Sequence, residues 1–347
     1  MPIDYGMHHA ALARMARNGV VGLRDMAEKD IDYKEAAFKR FVTLCEPRAS
    51  EGQARRLFDG MVQVLQEARL TINFDSSKWF GQANSAGRYS NMFERIVGPS
   101  TSKNTVGQLR ERNTVEKRMM DFGGQATRPL APPNAQHIQK VLAYYGDTGI
   151  DRHGLPTSNS FDPSVRPRYG AVDFGYCRFG AAGDHRYGHS FFILKEHVKH
   201  NATYTHTDSF KVEEDLAKRR AEYGGRAVSL HDATATYFQL EKILLYCTPS
   251  MLQNIYDYAT GRKERGKENA LPVDTTAHWV NYLEFQAHSE IEFHRDVEAM
   301  VLYRPETRAS RGYVGYQAEK RAREFAQRNG IPLKVIEYDP AVQFKRA

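Results

Sequence analysis

Apolar and polar positions repeat with two different periods along the chain, and the change of period marks its organisation. The first 69 residues predict helices, because apolar residues recur at helical spacing in DYKEAAFKRFVTLC and in SEGQARRLFDGMVQVLQEARL, for which Ser50 is a suitable N-cap. RLTINF at 69–74 is the first segment with the pattern of a strand. Residues 75–164 are rich in Gly, Ser, Asn and Pro, a composition typical of irregular chain that is mobile or functional.

Strand patterns dominate the second half. Strands are predicted in RYGAVDFGY at 168–176, RYGHSFFIL at 186–194, NATYTHTDSF at 201–210, DVEAMVLY at 296–303 and LKVIEY at 333–338. Helices are predicted in TATYFQLEKILLYC at 234–247, SMLQNIYDYAT at 250–260 and YQAEKRAREFAQRNG at 316–330, which ends at Gly330. This order predicts an α+β fold with a mostly antiparallel sheet. We expect a helical segment at 1–68 packed on a core at 69–347, with a helical insertion at about 211–265.

Composition narrows the classes of partner and compartment. A formal charge of +7 over 347 residues favours acidic or phosphate-bearing ligands, but it is spread along the chain and does not argue for nucleic acid. Three cysteines without a C-x-x-C pair indicate a reducing compartment and no cysteine zinc site. No segment resembles a secretion signal or approaches the 18 apolar residues of a membrane span, so we expect a soluble protein without a classical signal peptide.

The segment NYLEFQAHSE raises the question of a catalytic carboxylate. Strict alternation points Leu283, Phe285 and Ala287 to one face of a strand and Glu284, Gln286 and His288 to the other. Pattern alone favours a solvated sheet face. The alternative is a catalytic carboxylate held on a rigid element.

Several further segments are candidates for binding a ligand. GRYSNMFERIVGPSTSKNT at 87–105 combines hydroxyl, amide and guanidinium groups that suit a sugar and a pyrophosphate, although a capped loop is equally consistent; the groups belong to Arg88, Arg95, Ser100, Thr101, Ser102 and Asn104. Tyr169 can stack on a flat ring or serve as core. Gly123, in DFGG, either lets backbone approach a ligand or forms a simple turn. The histidines show no H-E-x-x-H spacing, and we expect no metal site.

Eight short motifs follow one another along the chain: LTINF, F-x(6)-STS-x-N, FGG, RPRYGAVDF, RYGHSFFILKEHV, ATYTHTDSF, YLEFQAH and DVEAMVL. Taken in this order, they resemble the CteC-like family of bacterial effector ADP-ribosyltransferases, which modify a threonine of ubiquitin. The resemblance covers roughly residues 69–338 and implies an ADP-ribosyltransferase-like sheet with NAD as co-substrate. Ser100, Thr101 and Ser102 match the Ser-Thr-Ser segment of that superfamily, and Glu284 lies where it has its glutamate.

Two departures from the superfamily pattern affect the site. The superfamily usually has an E-x-E motif in which the second glutamate is catalytic. This chain has Glu284 at the first position of the motif and Gln286 at the second. LTINF contains no Arg or His, so the phosphate-holding residue is expected to be Arg88 or Arg118, and Asn73 occupies the nearest strand position.

The resemblance implies transfer of ADP-ribose from NAD to a host protein, expected to be a threonine of ubiquitin, which would block ubiquitination. Glu284 would stabilise the oxocarbenium ion, and Gln286 would orient the acceptor or the ribose. The protein would be secreted into the host cytoplasm without a classical signal peptide and would bind neither nucleic acid nor membrane. Two alternatives are a NAD glycohydrolase without a protein acceptor and a non-catalytic ubiquitin-binding module.

Overall fold

The computed structural model describes residues 30–91, 94, 112, 115–116, 119, 166–182, 187–225, 227–228, 230–271, 282–308 and 313–337. The α-helices among them are α1 (Asp30–Cys45), α2 (Glu51–Gln66), α3 (Ser76–Trp79), α4 (Val212–Lys218), α5 (Leu230–Ala233), α6 (Glu241–Tyr246), α7 (Pro249–Ala259), α8 (Phe293–Asp296), α9 (Arg304–Arg308) and α10 (Tyr313–Arg328). Short 3₁₀ turns occur at Glu196–Asn201, Arg220–Tyr223 and Tyr237–Gln239. No helix in these ranges is long and apolar enough to cross a membrane.

The strands form one large and one small sheet. They are β1 (Arg69–Phe74), β2 (Arg88–Tyr89), β3 (Arg168–Asp173), β4 (Ser190–Leu194), β5 (Ala202–Thr205), β6 (Ala235–Thr236), β7 (Glu284–Ala287), β8 (Ile291–Glu292), β9 (Val297–Tyr303) and β10 (Leu333–Ile336). The eight-stranded sheet has the order β10-β9-β4-β1-β3-β7-β5-β6, and β2 pairs with β8. Only the β9 and β10 pair is parallel among the described ladders, so the predicted α+β class with a mostly antiparallel sheet is confirmed.

The N-terminal helices pack on the helices that precede β7. Ala54, Phe58, Met61, Val64 and Leu65 recur every three or four residues in α2 and are buried together. α1 packs against α6 and α2 against α7. Ser50 begins α2 as its N-cap, as predicted, but its side chain makes no capping hydrogen bond.

The large sheet has one apolar face and one face that carries most of its polar side chains. Leu70, Ile72, Val172 and Phe285 join the main core, and burying an aromatic or aliphatic side chain of this kind contributes about 1.5–3 kcal/mol. Antiparallel register and strand alternation place Arg69, Thr71, Asn73, Tyr169, Asp173, Glu284 and Gln286 on the opposite face. A smaller apolar cluster of Phe191, Ile193, Ala299 and Val301 covers that face beside β1.

The predicted elements are present, with shorter bounds at several ends. The helix predicted over 234–247 is divided into β6, a 3₁₀ turn and α6. The strand predicted at 201–210 ends at Thr205, and the chain then turns toward β7. Gly330 has a φ of +62°, which is the left-handed conformation expected for a glycine just past a helix.

Candidate functional site

Glu284 begins β7 in the middle of the large sheet. Its register partners are Ala171 on β3 and Thr205 on β5, both short side chains that leave the carboxylate space above the sheet. The residue is only 1% exposed. The interpretation of this strand face as solvated is therefore wrong: Gln286 and His288 are also buried, because β7 is an interior strand and the chain after β5 folds over it.

Two donors hold the Glu284 carboxylate in one orientation, and a tyrosine hydroxyl lies beside it. Oε1 accepts hydrogen bonds from the backbone N–H of Ser209 at 3.1 Å and from Nε2 of Gln286 at 2.9 Å. The Tyr282 hydroxyl lies 3.5 Å from Oε2. Because both strong donors serve Oε1, Oε2 keeps acceptor capacity on the side of Tyr282.

Burial raises the pKa of the Glu284 carboxyl to about 7, and repulsion from Asp208 adds to the rise while Arg112 opposes it. A buried carboxyl with a pKa near neutrality, close to a second carboxylate and a guanidinium, is the kind of group found at functional sites. The arrival of a cation would favour its charged form.

Gln286 supports Glu284 from the strand interior. Its amide nitrogen also reaches Oγ1 of Thr205 at 3.1 Å, and its amide oxygen accepts from Oγ1 of Thr203 at 2.8 Å. Thr203 in turn contacts Nε2 of His288 at 2.9 Å. Burial lowers the pKa of His288 to about 3, so this imidazole is neutral at physiological pH. Gln286 is not among the described residues that line the neighbouring cavity, and its amide is committed to orienting Glu284.

A cavity of about 510 Å³ opens beside Glu284, between the sheet and the chain that follows β1. This is within the size range of ligand pockets. Its described walls combine two carboxylates, three basic side chains and several aromatic rings. They include Asp75, Lys78, Trp79, Tyr89, Arg112, Arg168, Tyr169, Tyr282 and Glu284. Within the described residues no group of three or more His, Cys, Asp or Glu is arranged to hold a metal ion.

The aromatic wall of the cavity is built on α3. Trp79 stacks on Tyr89 with ring centroids 5.6 Å apart and an interplanar angle of 10°. The Asp75 side chain caps α3 through the N–H of Ser77 at 3.0 Å. Glu306 accepts from the N–H and Oγ of Ser76 at 2.9 and 2.8 Å. These bonds fix the short helix that carries Trp79.

Arg112 supplies one of the two guanidinium groups that line the described part of the cavity. The group lies 4.0 Å from the ring centroid of Tyr169 and 3.8 Å from that of Phe210, and Nη1 donates to Oγ of Ser209 at 2.8 Å. Its Nε has no hydrogen-bond partner among the described residues. Nearby Tyr169, Glu284, Asp208 and Glu116 outweigh burial and raise its pKa, so the charge is permanent.

Tyr169, for which the sequence left open a role in stacking on a flat ring or a position in the core, lines the cavity. Its hydroxyl donates to Oε1 of Glu116 at 2.6 Å, and Arg166 pairs with the other oxygen of Glu116 at 2.9 Å. One face of its ring is covered by Arg112, so the tyrosine positions that guanidinium.

Asn73 lines the cavity, but its amide nitrogen donates to the carbonyls of Phe179 at 2.7 Å and Gly188 at 3.1 Å. It therefore ties two loops to β1. Arg88 pairs with Glu94 and lies 3.6 Å from Glu290, and it is not among the described lining residues. The structure does not bring Arg88 to the cavity.

The remaining predicted site residues lie outside the described residues; they are Ser100, Thr101, Ser102, Asn104, Arg118 and Gly123. Tyr282 is a cavity residue that could have been predicted from the sequence, because it lies two positions before Glu284 and strand alternation points both side chains to the same face. Arg112 could not have been predicted, since nothing in the sequence distinguishes it from the other basic residues in TVGQLRERNTVEKRMMDF.

Comparison with known proteins identifies a family without assigning an activity. The family model described as "Protein of unknown function (DUF3626)" matches residues 85–337. The match spans more than half of the chain, so the chain belongs to this family. No curated protein matches it. Glu284 and Arg112 are inside the matched range, whereas β1 with Asn73 precedes it.

Proposed function

We propose that the chain is a mono-ADP-ribosyltransferase with an ADP-ribosyltransferase-like fold that transfers ADP-ribose from NAD to a threonine of ubiquitin. The observation that carries the proposal is the buried Glu284 carboxylate, held by Ser209 and Gln286 at the wall of a cavity that also contains Arg112. A negative charge fixed in this way can stabilise a positive charge that develops on a bound sugar.

The cavity residues fit the chemical parts of NAD. Two flat rings match the aromatic wall around Trp79 and Tyr89, and the diphosphate matches the Arg112 guanidinium, whose planar fork suits phosphate oxygens. The Nε of Arg112, which has no hydrogen-bond partner in the described part of the chain, is a donor that such a ligand can satisfy. Glu284, which lines the same cavity as Arg112, would then face the ribose.

Cleavage of the bond between ribose and nicotinamide depends on position and charge. As the bond between ribose and nicotinamide breaks, positive charge grows on the ribose, and ionised Glu284 lowers the energy of that state. The bound pyridinium favours the ionised form of Glu284, whose pKa of about 7 in the free protein lies close to neutrality. Gln286 and the Ser209 N–H keep the carboxylate aimed while its charge is used.

The identity of the acceptor rests on the resemblance to the CteC-like effectors. By that resemblance the protein is delivered into a host cell, where modification of a ubiquitin threonine blocks ubiquitination. Attack by a hydroxyl on the sugar requires the two to be held close together, and the cavity and a docked protein can supply that proximity.

Intact-mass measurement of ubiquitin after incubation with the full chain and NAD tests the proposal. We expect one added ADP-ribose with the wild type, a loss of product with Glu284→Gln, and wild-type product with Glu298→Gln, a matched control on an exposed position of β9. Free ADP-ribose with unmodified ubiquitin would instead support a NAD glycohydrolase. Ubiquitin binding without NAD consumption would refute an enzyme and support the non-catalytic module.

A further inference from the structure

The environment of the Tyr282 hydroxyl suggests a second role beside Glu284. This hydroxyl belongs to a residue that lines the cavity, and three oxygens surround it: Oδ2 of Asp208 at 3.4 Å, Oε2 of Glu284 at 3.5 Å and the hydroxyl of Tyr187 at 3.5 Å. The tyrosine has one proton to donate, so it can serve one of these acceptors at a time.

Asp208 and Glu284 differ in their access to water. Glu284 is 1% exposed, and a proton taken up there would remain in the site and cancel the charge that the reaction needs. Asp208 is half-buried, and its Oδ1 already accepts from the N–H of Phe210 at 2.9 Å, which holds the carboxylate in place. Asp208 is thus an acceptor that can exchange a proton with solvent.

We propose that Tyr282 and Asp208 form a relay that removes the proton of the acceptor hydroxyl; this inference rests on the proposed function. The acceptor oxygen bonds to C1′ of the ribose, and the bond from C1′ to nicotinamide breaks with its electron pair leaving on neutral nicotinamide. The hydroxyl proton passes to Oη of Tyr282 while the Tyr282 proton passes to Oδ2 of Asp208 and then to water.

The relay needs a tyrosine that stays protonated until the moment of transfer. Burial, together with the charges of Asp208 and Glu284, raises the pKa of Tyr282 well above 10, so the phenolate does not accumulate. The two carboxylates therefore have different roles: Glu284 faces the sugar cation, and Asp208 receives the proton through the tyrosine. General-base help of this kind contributes about 10²- to 10⁴-fold in rate.

Chemical rescue with azide tests the relay, because azide is a nucleophile without a proton to lose. We expect Tyr282→Phe and Asp208→Asn to slow transfer to ubiquitin about 10²- to 10⁴-fold with unchanged NAD affinity. Azide should restore nicotinamide release in both and yield ADP-ribosyl azide, but should not rescue Glu284→Gln. Asp208→Glu, which keeps a carboxylate, should retain part of the activity.

A matched control is Tyr204→Phe, which deletes a buried tyrosine hydroxyl on the opposite face of the sheet, where it donates to the carbonyl of Lys199 at 2.9 Å. This variant should transfer ADP-ribose to ubiquitin at the wild-type rate. The relay would be overturned if both relay variants transferred ADP-ribose like the wild type, or if azide restored nicotinamide release in neither of them. Both results would leave the proposed enzymatic function standing. If wild-type protein releases no nicotinamide with ubiquitin or with azide, the proposed function itself fails. If one variant does not fold, the other still decides the question.

Discussion

Replacing Glu284 with glutamine should remove activity and stabilise the fold at alkaline pH. Glutamine has nearly the same shape, and its amide oxygen can accept from the Ser209 N–H and from Gln286 as the carboxylate does. Its NH₂ group then faces the Tyr282 hydroxyl, which lies 3.5 Å from that oxygen position. The substitution therefore deletes a buried charge while keeping the hydrogen bonds.

The size of the stability effect follows from the pKa of Glu284. The folded protein raises this pKa from 4.5 to about 7, so between these pH values the native state binds more protons than the unfolded state. The contribution of Glu284 to stability therefore falls as pH rises through this window. At about 1.36 kcal/mol per pKa unit, the total loss is at most about 3 kcal/mol.

Glu284→Gln should lower the rate of ADP-ribose transfer, although it stabilises the fold. Removal of one preorganised group that stabilises developing charge costs about 10²- to 10³-fold in rate. The wild type thus keeps a carboxylate that weakens its fold above neutral pH, as expected of a charge that the proposed transfer requires.

Urea unfolding at pH 5 and pH 8, together with ubiquitin modification at pH 8, measures both effects. We expect Glu284→Gln to gain about 2–3 kcal/mol relative to the wild type between the two pH values, and to lose transfer. The exposed control Glu298→Gln should change neither. A stability difference that is the same at both pH values would refute the argument that Glu284 is buried as a charge.

Further substitutions test the cavity and the sheet beneath it. Arg112→Ala should weaken NAD binding about 10- to 100-fold by calorimetry, since a charged hydrogen bond contributes about 1.5–3 kcal/mol, whereas Arg88→Ala should leave it unchanged; equal losses would contradict this assignment. Gly170→Ala should lower the free energy of unfolding in urea by about 1–3 kcal/mol or more, because its Cβ would lie 2.4 Å from the Phe285 ring, and an unchanged free energy would argue against this packing. Asp173→Ala should cost about 3 kcal/mol, the low end for removal of one partner of a buried pair, because it leaves a buried backbone N–H and the arginine on β1, which keeps 21% exposure, without their acceptor; a smaller loss would indicate that the pair contributes little.

The main elements could be predicted because their sequences are strongly periodic. β1 coincides with RLTINF, and the β9 segment and α10 lie within the predicted ranges or close to them. The two-residue strands β2 and β6 could not be predicted, because each is defined by its partner across the sheet and carries no pattern of its own. The interruption of the helix predicted at 234–247 has the same cause, since β6 pairs with β5 there.

The candidate site was predictable in part. Alternation correctly placed Glu284, Gln286 and His288 on one face, but it favoured solvent for that face. Alternation reports the direction of a side chain and contains no information about what covers it. The cover is the turn at Ser209, 75 residues earlier in the chain, whose N–H meets the carboxylate.

By itself, the sequence determined the class of fold and the residue types and directions along each strand, because these depend on local sterics and on the period of apolar residues. Only the tertiary structure decided that Glu284, Tyr282 and Arg112 share a cavity, that Arg88 does not join them, and that Gln286 supports a neighbour. These relations join residues far apart in the chain, and the pKa of Glu284 arises from the same assembly, since burial and the charges around a carboxyl exist only after the strands have paired.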